Sequence, residues 1–129
     1  MILARTDPRS WEPYSVRLPE ALWTRLEERL EADQRSYGLP SLAMSHYIYA
    51  ALERIPDRAE TAAEWAISYQ VAQGLRPPAT RSSGTRLHRN VLSRMELLPT
   101  QLRRVARPGL LGHLQAAAIK SLLDELDAA

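Results

Sequence analysis

Ser15 and Arg17 alternate with Tyr14, Val16 and Leu18, so two polar side chains share one face of a short extended segment and three apolar ones share the other. An arginine on such a face presents a planar fork of N–H donors, which suits phosphate oxygens and base edges. Further arginines cluster later in the chain. Residues 1–73 carry 8 Arg against 11 acids, residues 74–107 carry 8 Arg against Glu96 alone, and the remainder carries Lys120 against three acids. Charge therefore runs −3, +7 and −2 along the 129 residues, although the whole chain is only +2. A basic stretch of that density seeks a polyanion, and nucleic acid is the usual one. The bland alternative is a basic linker without a partner.

The elements that must position these groups follow from periodicity. Pro13 to Leu18 is a strand too short to stand without a partner. Pro19 and Glu20 suit the first turn of a helix, along which Leu22, Leu26 and Leu30 recur every four residues to about Arg35. Gly38 and Pro40 end it, and Ser41 is a plausible N-cap for a second helix over 42–54. A third helix spans 57–73, closed by Gly74, and residues 75–85, with Pro77-Pro78 and Ser82-Ser83-Gly84, form a linker. A second strand is expected within 87–97. Leu98-Pro99 repeats Leu18-Pro19, a clipped helix covers 100–107, and a last helix covers 110–126. The reading is of a mostly α chain with a short two-stranded antiparallel ribbon. It divides into a flexible arm (1–12), a first half (13–56), an extra helix and basic linker (57–86) and a second half (87–127), with 13–127 as one compact domain.

Composition narrows function further. There is no cysteine, which excludes disulfides, thiolate metal sites and cysteine nucleophiles. His46, His88 and His113 are scattered without a second ligand at metal spacing. Ser82-Ser83-Gly84 lacks the lysine and preceding strand of a phosphate loop, and no serine–histidine pairing stands out. Neither catalysis nor a cofactor is expected. No apolar run reaches membrane-spanning length and the first ten residues lack a signal-peptide core, so a cytoplasmic protein without membrane contact is expected.

Strand, Leu-Pro-Glu, leucine-spaced helix, glycine turn and helix, as in Tyr14-Ser-Val-Arg-Leu-Pro-Glu-Ala-Leu-Trp-Thr-Arg-Leu, resemble the ribbon-helix-helix family of DNA-binding proteins. The likeness extends through residue 55, and a second, degenerate copy occupies about 88–123. The few tandem members include accessory proteins of conjugation and of T-DNA transfer. The resemblance implies a monomer that acts as a pseudo-dimer, reads the major groove of double-stranded DNA with an intramolecular ribbon, and helps a relaxase or a partition-type ATPase assemble. A repressor or antitoxin on the same fold is the first alternative. An all-helical protein–protein adaptor is the second.

On that pattern the base-contacting residues are Ser15 and Arg17 on the first strand and Arg89 and Arg94 on the second. Glu96 then either reads cytosine or signals a wrong register, since a one-residue slip inverts every side chain. Phosphate contacts fall to Ser41, Arg107, Gly109 and Gly112 around the N-termini of the second helix of each copy. His88, beside Arg89, is a further candidate for phosphate.

Overall fold

The computed structural model describes residues 10–39, 42–74, 76 and 78–128. Strand β1 (Glu12–Pro19) leads straight into α1 (Glu20–Tyr37), followed by α2 (Met44–Glu53) and α3 (Ala59–Gln73). Strand β2 (Thr80–Leu87) then leads into α4 (Arg89–Val105) and α5 (Leu111–Ala128). Among the described residues the chain is mostly helical with one two-stranded antiparallel sheet. Among the described residues no helix is long and apolar enough to cross a membrane.

β1 forms where the alternation places it. Val16 and Leu18 are buried while Pro13, Ser15 and Arg17 are exposed. Its partner, however, is not the 87–97 segment. Leu18 pairs with Arg81, Val16 with Ser83, Tyr14 with Thr85 and Glu12 with Leu87. The stretch read as linker is therefore β2. Ser82-Ser83-Gly84 has weak strand propensity, but a ladder to β1 satisfies its backbone, and tertiary pairing overrides local preference. Ser45, on the first turn of α2, shares a 2.9 Å hydrogen bond with the Thr85 hydroxyl and accepts one from Arg86 N.

Residues 89–97 are helical for a clear reason. Val91, Leu92, Met95, Leu98 and Leu102 are buried at spacings that follow a 3.6-residue period, not an alternation. His88 caps α4 by accepting from Asn90 N through its ring. The expected break at Leu98-Pro99 does not occur. Pro99 lies inside α4 on its exposed side, so the likeness to Leu18-Pro19 is one of sequence only. The first helix of the second half is thus 17 residues long, nearly matching the 18 of α1. Gly38, at φ 60, closes α1 in the left-handed conformation that favours glycine, and Gly109, at φ 81, does so in the turn before α5.

Trp11, within the segment read as a flexible arm, is buried against Tyr49, His46 and His88. Residues 1–9 of that arm lie outside the described residues. One cluster of buried side chains draws on both strands and all five helices. Buried beside it is a charged group, Asp33, which accepts from Arg29 Nε and Nη2 (3.2 and 3.0 Å) and from the Tyr47 hydroxyl at 2.6 Å. α3 covers the core from the side, packing chiefly on α5 and then on α4.

Candidate nucleic-acid interface

One face of the ribbon looks away from the helices. It carries Pro13, Ser15 and Arg17 from β1 and Thr80, Ser82, Gly84 and Arg86 from β2, with cross-strand pairs Pro13–Arg86, Ser15–Gly84, Arg17–Ser82 and Pro19–Thr80. The side chains around the centre are small, so the two arginines stand clear at opposite ends. Arg17 donates from Nη1 to the Thr80 hydroxyl at 3.1 Å, and Arg86 donates to the Trp11 carbonyl at 3.0 Å. Each bond uses part of a five-donor fork and leaves the rest for a ligand. Neither forms an ion pair with a described residue.

Helix starts bound this face at both ends. At the Arg86 end lies α2, whose N-cap is Ala43 rather than Ser41; the Ala43 amide donates to His46 Nδ1 at 2.9 Å. Ser41 itself lies outside the described residues. At the Arg17 end lies α5. Arg17, Thr80, Gly109, Gly112 and His113 line one recess of about 210 Å³ there, together with Tyr69 and Gln73 of α3. The first α-helical bond of α5 runs from Leu114 N to Leu110 O at 2.9 Å. Amides 111–113 precede it and have no helical acceptor.

No family model, curated protein or solved structure matches the chain.

Of the expected contact residues, the structure brings together Ser15 and Arg17 on the ribbon, and Gly109 and Gly112 beside Arg17. Arg107 lines an adjoining recess with Gly109 and Gly112, and its guanidinium hydrogen-bonds the side chain of Gln70 on α3. Arg89 and Arg94 are not strand residues. Arg89 sits on the first turn of α4 and pairs with Glu12 at 2.6 Å. Arg94 is half-buried, donating to the Pro56 carbonyl with Asp57 at 3.7 Å, and ties α4 to the turn before α3. Glu96 is an exposed helix residue, so neither of its two readings applies, since both placed it on a strand. His88 is a helix cap. Arg86 was missed because its neighbours read as linker. The signal was present: Thr85-Arg86-Leu87 before an amphipathic helix parallels Val16-Arg17-Leu18 before α1.

Arg81 shows how a ribbon arginine is withdrawn from a ligand. It projects from the inner face, stacks over Trp23 at 5.2 Å, and pairs with Glu20 at 2.8 Å and Glu27 at 3.6 Å. Trp23 Nε1 in turn donates to the Arg81 carbonyl at 2.8 Å, fixing the start of β2 on α1.

Proposed function

We propose that this chain binds double-stranded DNA as a single-chain ribbon-helix-helix pseudo-dimer, laying the β1–β2 ribbon in the major groove. The observation that carries the reading is the two-fold arrangement of Arg17 and Arg86 about the Ser15–Gly84 pair. An offset of 69 residues takes Ser15 to Gly84, its own ladder partner, and takes Arg17 to Arg86. The same offset takes the buried Val16, Leu18, Leu22, Trp23, Leu26 and Asp33 to Thr85, Leu87, Val91, Leu92, Met95 and Leu102, which are also buried. The strand and first helix of each half therefore share a burial pattern and meet at the ribbon. The major groove admits a two-stranded ribbon, and outward arginines of this kind fork onto guanine O6 and N7. The helix starts at the two ends are placed to hold flanking phosphates.

The tandem arrangement, shared with accessory proteins of conjugation and T-DNA transfer, favours that role over a repressor or antitoxin. A relaxase or partition-type ATPase is the protein partner this role entails. The test is a titration of duplex DNA at several salt concentrations, with Arg17→Ala and Arg86→Ala beside the wild type. Steep salt dependence and loss of sequence preference in both variants are expected. Binding that is absent at low salt sinks the proposal.

A further inference from the structure

The two helices that leave the ribbon are unequally charged. α1 carries Arg25, Arg29 and Arg35 against Glu20, Glu27, Glu28, Glu31 and Asp33, a net −2, whereas α4 carries Arg89, Arg94, Arg103 and Arg104 against Glu96, a net +3. The two helices run in opposite senses beneath the ribbon. α1 finishes near α2 at the Arg86 end, and α4 finishes near α5 at the Arg17 end. Gly109 and Gly112 line both the recess that holds Arg17 and the one that holds Arg103 and Arg107. A continuous basic surface thus runs from the ribbon, across the start of α5, to the last turn of α4. Arg103 and Arg104 are exposed there, and neither pairs with a described residue. At the opposite end the last turn of α1 offers Arg35 alone.

From this we infer a polarity of engagement that rests on the DNA reading above: the protein grips the backbone of duplex DNA on one flank of its site, at the α4–α5 end. Arg103, Arg104 and Arg107 hold phosphates beyond those reached from the helix start. The other flank has only Arg35 at the corresponding place, in the last turn of α1. The footprint is therefore displaced from the base pairs read by Arg17 and Arg86, and a symmetric pair of half-sites is not what this surface fits. One-sided gripping gives the protein a defined direction on DNA, which a symmetric dimer lacks.

The test is hydroxyl-radical footprinting on a duplex selected from a random pool. Protection is expected to reach further on one side of the bases whose contacts are lost in Arg17→Ala and Arg86→Ala. The double variant Arg103→Glu/Arg104→Glu should retract the longer arm and lower the slope of log affinity against log salt by about two. Its base preference should remain, and Arg103→Gln/Arg104→Gln gives the same retraction if the charge reversal perturbs folding. Because the chain has no cysteine, a single Ala106→Cys bearing an iron chelate can report the side, and its cuts should fall within the longer arm. A centred wild-type footprint, an arm unmoved by both double variants, or cuts on the shorter arm would each overturn the polarity. All three require DNA to be bound, so they are distinct from failure to bind at low salt, which removes the parent reading instead.

Discussion

Ser15 faces Gly84 across the middle of the ribbon, and each lies two residues before an exposed arginine on its own strand. The centre is thus flat and nearly free of side chains, with a guanidinium at either end. On the DNA-binding proposal, this spacing would let the ribbon settle in a groove with the remaining donors of both forks turned to base edges.

Arg17→Ala and Arg86→Ala should each reduce discrimination between the preferred duplex and a single-base variant by about 1–3 kcal/mol, the worth of a bidentate base contact. Both side chains are exposed, so unfolding free energy should change by less than about 0.5 kcal/mol. Competition binding and urea titration separate the two quantities. Equal losses against every sequence would make these arginines phosphate contacts.

Asp33 is a buried charged group in the core. It is 2% exposed and accepts from Arg29 and Tyr47. Asp33→Ala strands a guanidinium and a hydroxyl and should cost about 3 kcal/mol or more in urea unfolding. The second half shows an apolar solution, with Leu98 and Leu102 at the positions matching Arg29 and Asp33. The triple variant Arg29→Leu/Asp33→Leu/Tyr47→Phe should therefore recover most of the loss. Arg29 also reaches Asp127 at 3.5 Å and the Leu126 carbonyl at 3.3 Å. If the triple variant is as unstable as Asp33→Ala, those links to the end of α5 matter more than the core triad.

The first half of the fold was legible because its local signals agree. Val16 and Leu18 alternate, Leu22 and Leu26 recur at helical spacing, and Gly38 ends α1. In the second half the local signals compete with the tertiary solution. β2 buries only Thr85 and Leu87, and a Ser-Ser-Gly core reads as linker until β1 is beside it. Ser15 and Arg17 were found from alternation alone. Arg86 was not, because its strand is made by pairing rather than by propensity, and that displaced the reading of Arg89 and Arg94 onto a strand they do not occupy.

Stability should fall on the alkaline side. Burial, then the hydrogen bond to Asp33, raises the Tyr47 phenol well above its ordinary value, and burial also raises Tyr14, Tyr49 and Tyr69. Above about pH 10 the unfolded chain releases these protons while the folded chain keeps them. The unfolded state then binds fewer protons, so unfolding free energy decreases as pH rises. The contribution is fully present below pH 10 or so and is lost progressively above it. Tyr47→Phe should flatten that decline in urea titrations at alkaline pH, whereas an unchanged slope would assign it to the other tyrosines.

Pro99 supplies a test of the helix that replaced the expected strand. It has no amide to give the Met95 carbonyl, yet α4 continues through it to Val105. The buried stripe of Met95, Leu98 and Leu102 holds the helix together across that gap, and the proline ring points to solvent. Pro99→Ala restores the missing bond without touching the core. It should raise the unfolding free energy by about 1–3 kcal/mol, within the range set by proline in helix interiors. Were 98–99 a strand-to-helix junction like Leu18-Pro19, the same substitution would remove a favourable first-turn proline and lower stability instead. Thermal or urea unfolding of Pro99→Ala beside Pro19→Ala therefore distinguishes the two architectures by the sign of a single difference.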